Sequence, residues 1–231
     1  LNLTGVKLYS LDVTNEKSIE DSFQAAIKDF GKIDVLVNNA GYGGVGVFEA
    51  ATKEQIQKQF DTNVFGLMNV TRAFLPHFRE NKAGTLINIS SVGGQITFPI
   101  YSLYHSTKWA VEGFSEALQF ELRPFKIKVK LIEPGPIKTE FYGRSKELFR
   151  KPELKEYDHY MDVTYENVNK AGANAQGPEL VAKMILKAAN DRSYKMRYPV
   201  GGNAPFYLAM RRILPNGWFT GLVRSIVEKG L

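Results

Sequence analysis

Apolar residues recur along this chain in two rhythms that alternate from one segment to the next. Residues 16–30 place Ile19, Phe23, Ala26, Ile27 and Phe30 three or four positions apart, the spacing of one helix face. Thr14 or Asn15 can cap that helix and Gly31 can end it. Residues 33–37 are apolar apart from Asp34, close to the unbroken run that a strand buried on both faces of a parallel sheet requires. A long helix is predicted from about 52 to 80, opened by Thr52 with Gln55 three positions on. Pro76 falls near its last turns and can bend them. The runs at 84–91, 127–132 and 195–200 read as further strands, and residues 6–13 as an early one after a loop at 1–5. Trp109, Ala110, Val111, Phe114, Ala117, Leu118, Phe120 and Leu122 mark an amphipathic helix ending near Pro124. Another opens at Pro178 and Glu179 and runs to about Asn190. Strands and helices that alternate in this way predict an α/β fold: a doubly wound parallel sheet with helices on both faces. The length suits one domain over residues 1–231.

Two stretches break the alternation. Residues 140–177 are polar and poorly periodic, yet carry Phe141, Tyr142, Phe149, Tyr157, Tyr160 and Tyr165. A loop of that length is usually functional or mobile. At the end, 205–214 and 218–229 flank Pro215-Asn216-Gly217 and mix large apolar residues with arginines. One reading is a basic amphipathic extension, about 203–231, that touches a membrane surface. The other is a pair of helices closing a substrate site, with their arginines in solvent.

Charge sharpens this contrast. The net charge is +6, and residues 192–231 hold seven basic side chains against Glu228 alone, which leaves the remainder balanced. A neutral body argues against nucleic-acid binding, which needs basic groups spread over a face. The chain has no cysteine, so disulfides, thiolate zinc sites and a cysteine nucleophile are excluded. Its three histidines lack ligand-like spacing, and no metal is expected. No apolar run is long enough to span a bilayer, the start is not signal-like, and a cytoplasmic location is expected.

The candidate chemistry centres on Tyr104-His105-Ser106-Thr107-Lys108. On a helix Tyr104 and Lys108 are one turn apart and point the same way. An ammonium near a phenol favours phenolate, which makes Tyr104 a candidate general acid/base. His105 beside it reads as a packed or exposed helix residue. Ser91 stands thirteen positions before Tyr104, at the end of a predicted strand, where open α/β sheets place their sites. Ile89-Ser90-Ser91-Val92-Gly93 is not the G-x-S-x-G of a serine hydrolase.

Four motifs in order resemble the short-chain dehydrogenase/reductase family: Asn38-Asn39-Ala40-Gly41; Asn63; Ser91 with Tyr104 and Lys108; and Pro134-Gly135 with Thr139. The likeness covers the chain to about residue 141 and then weakens. It implies a Rossmann-type NAD(P)-dependent oxidoreductase that interconverts an alcohol and a carbonyl by hydride transfer. By resemblance Asn63, Ser91, Tyr104 and Lys108 are catalytic. Asp12, Val13, Asn38, Ala40, Gly41, Tyr104, Lys108, Pro134, Gly135, Ile137 and Thr139 bind NADP or NAD, with NADP slightly preferred. Residues 140–177 become the substrate lid. The aromatic-rich lid favours a bulky apolar alcohol or ketone, and the family implies a homodimer or homotetramer. The family's first strand, glycine-rich turn, helix and second strand do not precede residues 6–13. Their residues are expected to belong to the protein but lie outside this sequence; a truncated polypeptide is the other explanation. The competing class is a dinucleotide-sensing or scaffold protein without turnover on the same fold.

Overall fold

The computed structural model describes residues 4–139, 146–173 and 175–231. Helix α1 (Glu16–Phe30) begins where the Asn15 side chain accepts from the Ser18 N–H, and ends at Gly31, whose φ of 70° glycine tolerates best. Strand β1 (Val35–Asn38) and a short strand β2 (Gly43–Gly46) follow. Helix α2 (Lys53–Phe60) opens with the full capping box of Thr52 and Gln55. A π-helical turn, Asp61–Gly66, joins it to α3 (Leu67–Glu80), so the long predicted helix changes pitch at Asn63. Then come β3 (Gly84–Ile89), α4 (Ser102–Leu122), β4 (Ile127–Pro134), β5 (Lys146–Phe149) and α5 (Asp158–Ala173). The chain closes with α6 (Glu179–Asn190), β6 (Arg197–Val200), α7 (Ala204–Ile213) and α8 (Asn216–Val227).

The main sheet has the order β1-β3-β4-β6, with every pair parallel. Alternation along β3 decides which face each side chain fills. Leu86 joins Phe78, Leu118 and Val129 beneath α3 and α4, while its neighbour Ile87 joins Ile132, Ala188 and Tyr198 beneath α6. Helices therefore cover both faces, as the alternating pattern predicts. A polar seam crosses this core. The Asn38 amide donates to Thr71 Oγ1 (2.9 Å) and Asn88 Oδ1 (3.0 Å), and the Asn88 amide donates to Ser115 Oγ (2.9 Å). These bonds tie β1, β3, α3 and α4 together just before the carboxyl ends of the strands.

The structure corrects two expectations. Residues 6–13 are not a strand: β1 is the sheet edge on that side, and no described strand stands beside it to complete a ladder. The segment instead lies along α1, where Ser22 Oγ donates to the Ser10 carbonyl and Tyr9 OH to Asp29. Residues 146–149 and 158–173 are not loop but β5 and α5; residues 140–145, with Phe141 and Tyr142, lie outside the described residues. Their buried groups (Phe149, Met161) are few and unevenly spaced, so no single stripe advertises the elements. Strand β5 pairs in parallel with β2, whose glycines show no strand pattern. At Gly46 (φ 150°) a Cβ would overlap the Phe149 backbone, so only glycine fits.

Replacing Asn88 with alanine leaves buried partners on Asn38 and Ser115 without their bonds. The expected loss is about 2–3 kcal/mol in urea unfolding; a change under about 0.5 kcal/mol would show that the seam contributes little.

Candidate active site

The carboxyl ends of β1, β3 and β4 open into one cavity of about 600 Å³. Open parallel sheets bind ligands at this end, where strand-to-helix turns leave backbone groups free. Strand β3 delivers Ser91, whose Oγ accepts from Gly93 N (3.0 Å) and donates to the Pro134 carbonyl (3.4 Å). This one hydroxyl links the turn after β3 to the end of β4.

The first turn of α4 delivers Tyr104, which lies edge-on to Tyr101 with centroids 6.0 Å apart. Lys108 sits one turn on, its Nζ 5.8 Å from the centre of the Tyr104 ring. The same Nζ donates to the Ile89 carbonyl at 2.8 Å. Burial lowers the Lys108 pKa to about 8, and the Glu112 carboxylate opposes that shift.

Asn63 lies behind the cavity wall. Its Oδ1 accepts from Tyr42 N (3.0 Å), while its Nδ2 donates to the Tyr42 carbonyl (2.9 Å) and to Thr107 Oγ1 (3.1 Å). The amide thus fastens the turn after β1 to α4. A Cβ on Gly41 would stand 3.1 Å from Asn63 Oδ1 and 4.0 Å from Lys108 Nζ, so the small residue permits this close packing.

His105 has a definite tautomer. Its Nε2 meets the Phe98 N–H (2.9 Å), which can only donate, so Nε2 accepts and the proton rests on Nδ1. Nδ1 then donates to the Gly93 carbonyl at 2.9 Å. The ring holds the loop after Ser91 from both ends, and burial pushes its pKa down to about 4. This bridging role goes beyond the packed helix residue expected from sequence.

Of the expected residues, Gly41, Ser91, Tyr104, Lys108, Pro134, Gly135, Ile137 and Thr139 line the cavity. Asn38 does not line it and spends its amide in the core seam; Asn39 reaches the wall instead. Ala40 is also off the wall. Asp12 is exposed, and hydrogen bonds from Thr14 hold its carboxyl below the usual range. Val13 packs near Gly66 of the π turn, where a Cβ would lie 2.7 Å from Val13 Cγ2. The far wall was not foreseen residue by residue. It includes Phe98, Tyr101, Val168, Tyr207, Phe219 and Val223, and so draws on α5, α7 and α8. Its signals in the sequence were the aromatic-rich stretch at 140–177 and the mixed apolar and basic composition of the last thirty residues. The outer surface of α7 and α8 leaves Ile213 and Trp218 exposed. No helix among the described residues is long and apolar enough to cross a membrane.

Comparison with known proteins agrees with this architecture. The family model described as short chain dehydrogenase matches residues 2–148. An uncharacterised oxidoreductase of Schizosaccharomyces pombe is 43% identical over 223 residues, covering 96% of this chain and 93% of that protein. The crystal structure of a short-chain dehydrogenase from Streptomyces avermitilis superposes with a TM-score of 0.77 at 34% identity, over 95% of this chain and 76% of that one. ElxO with NADP bound superposes with a TM-score of 0.67 at 26% identity, over 87% and 78%. The chain belongs to the short-chain dehydrogenase family of oxidoreductases.

The neutral state of His105 has a thermodynamic consequence. Its folded pKa is depressed to about 4 while an unfolded histidine titrates near 6.5, so the unfolded chain binds the extra proton between those values. Its contribution is present above about pH 6.5 and lost as pH falls through about 4, up to about 3 kcal/mol. Urea titrations of native protein and His105→Gln across that window should converge as pH falls; parallel curves would show that His105 is not the titrating group.

Proposed function

We propose that this protein is an NAD(P)-dependent oxidoreductase that interconverts a bulky, apolar secondary alcohol and its ketone, or an alcohol and an aldehyde. The observation that carries the reading is the meeting of Ser91, Tyr104 and Lys108 on one largely apolar cavity, with Asn63 behind it. The family supports the reaction class, and the NADP bound to ElxO supports the cofactor. NADP is slightly preferred over NAD. The wall built from Asn39, Gly41, Pro134, Gly135, Ile137 and Thr139 fits the nicotinamide end, because its small residues and turn backbone allow close approach. Asp12 and Val13 would meet the adenine end, and Asn38 and Ala40 would shape the floor beneath the dinucleotide. A glycine turn that cradles pyrophosphate is not among the described residues. We assign the reaction to one domain over residues 1–231, with 140–177 as lid and 203–231 as its C-terminal extension.

When bound, the nicotinamide supplies or accepts the hydride. Tyr104 passes a proton between its phenol oxygen and the substrate oxygen. The Lys108 cation lowers the cost of the phenolate, and its hydrogen bond to the Ile89 carbonyl fixes where that charge sits. The Ser91 hydroxyl donates to the substrate oxygen as negative charge gathers there. Asn63 holds the turn at Tyr42 and would anchor a proton path towards Lys108. The apolar far wall excludes water and takes up the body of the substrate.

The same reading includes a homo-oligomer formed through the helices that carry Asn63 and Tyr104, where Phe65, Trp109 and Phe120 are exposed. It also includes a weak contact between the α7–α8 turn and an anionic membrane surface, through exposed Ile213 and Trp218 beside Arg211 and Arg212. Sedimentation tests both. The protein alone should run at twice or four times its protomer mass and pellet with anionic vesicles unless Trp218 is serine. A monomer removes the first element, and unchanged binding of the variant removes the second.

Tyr104→Phe should lower kcat by about a thousandfold or more, since the general acid/base is lost with the oxygen, while NADPH affinity by fluorescence titration stays within about threefold. Turnover that survives intact in this variant would remove Tyr104 from the chemistry and favour the sensor or scaffold reading.

A further inference from the structure

Behind the cavity, on the α4 side of the sheet, charged side chains meet in a space that the proposed reaction does not use. Arg197 of β6 reaches Glu112 at 3.1 Å, Glu116 at 2.8 Å and Glu133 at 3.3 Å. Glu112 lies on α4 one turn beyond Lys108, and Glu133 directly precedes Pro134 in β4. Gln95, in the loop after Ser91, donates its amide to Glu133. Glu112 and Glu133 are 5% and 0% exposed, whereas the Glu116 side chain is largely in solvent. Three carboxylates thus surround one guanidinium, and two of them are out of water. Among the described residues, Glu112 Oε1 and Glu133 Oε2 are buried with no hydrogen-bond partner.

A buried carboxylate oxygen without a donor is costly, and a retained proton is the usual relief. The neighbouring charges do not remove the need for it. Arg197, the Gln95 amide and, from α7, Arg212 favour ionised Glu133; Glu112 opposes it. Lys108 faces Glu112 from the next turn of α4, and Glu116 repels Glu112. His105, which holds Gly93 from the other side of the loop, is neutral. Burial pushes Glu112 up, with the Ser90 hydroxyl first and Arg197 next pulling it back. Burial first, and the Glu112 charge second, push Glu133 up to about 7.

The mechanical link to Ser91 is short. The Ser91 hydroxyl already bonds Gly93 N and the Pro134 carbonyl. The bond from Gln95 to Glu133 is a second clasp between the same two segments, one residue away on β4. We propose that Glu133 is a positioning residue for Ser91. With one proton kept between Glu133 and Glu112, it braces Gln95 and holds the 91–95 turn against β4; loss of that proton sets two buried carboxylates against each other, and as Glu133 shifts away from Glu112 it carries with it the turn that Gln95 ties to it. The clasp stands on geometry alone, and its effect on turnover rests on the role proposed above for Ser91.

The test uses the full chain with ¹⁵N-glycine labelling, since Gly93 and Gly94 report on the turn without any reaction. Across about pH 5.5 to 9, their amide signals in the native protein should move with a midpoint near the value of about 7 carried by Glu133. In Glu133→Gln, which keeps the shape of the side chain, that movement should vanish. In Glu112→Gln the midpoint should fall by about one unit or more, because a charge that raises the Glu133 pKa is gone. Native kcat should drop several-fold through the same midpoint with KM for cofactor unchanged, and Glu133→Gln should lose that inflection. A midpoint near neutrality that persists in Glu133→Gln, or glycine amides that do not titrate in the native protein, would overturn the proposal. Amides that titrate as expected without cofactor-dependent turnover would leave the clasp standing and sink the oxidoreductase reading instead. Turnover whose pH profile is identical in Glu133→Gln would do the reverse.

Discussion

The constraint that organises this molecule is the burial of the Lys108 ammonium. An amine taken from water is expensive unless its surroundings replace what water supplied. Here the Ile89 carbonyl, freed where β3 ends its ladder, accepts from Nζ, and the Tyr104 ring lies within 5.8 Å. Both contacts require the start of α4 to sit against the carboxyl end of β3. That docking brings Tyr104 and Ser91 to the same cavity. The site is therefore a consequence of accommodating one buried cation, and the strand end that does so is also the place where a parallel sheet offers unpaired backbone.

The rest of the wall depends on amide groups that work as fasteners. Asn63, in a π turn, spends both ends of its amide on the backbone of Tyr42 and reaches Thr107 of α4 as well. Asn38 and Asn88 do the same work one layer deeper. An isosteric carboxylate could accept at these places but could not donate, and an aliphatic residue could do neither. Four segments distant in sequence are thus held in a fixed relation by three asparagines. Their tight geometry explains why the turn after β1 uses Gly41, where extra volume would press on Asn63.

Much of this was readable from sequence, and the unread part has a common cause. Helices α1 and α6 matched their patterns because each packs along one face, α1 on α3 and α6 on the sheet, and α1 is capped by residues with local effects, Asn15 and Gly31. The motifs at Ser91, Tyr104 and Lys108 were legible because the chemistry demands those residue types at those spacings. Residues 6–13 misled because a strand needs a neighbour, which composition does not reveal. Strand β2 was hidden by its glycines, whose value is the space they leave for Phe149. Helix α5 buries its side chains among Val45, Ile100 and Tyr101 rather than against the sheet, so its pattern is irregular. Arg197, Glu112 and Glu133 come from three distant segments, and nothing local marks them as one cluster.

The distribution of charge across the site follows from these placements. On the cavity side, the described wall includes Lys108 as its charged side chain and is otherwise mostly apolar. One turn further along the same face of α4, Glu112 meets the same lysine and is in turn held by Arg197. A low-dielectric wall with one cation strengthens the attraction between that cation and negative charge forming at a substrate oxygen. The carboxylate behind it opposes the fall in the lysine pKa that burial causes. If Glu112 stood in the cavity instead, it would neutralise the field where charge develops. Its position one turn further along α4 supports the cation without occupying the space in front of it, and the surplus negative charge this creates is passed back to Arg197, away from the reacting atoms.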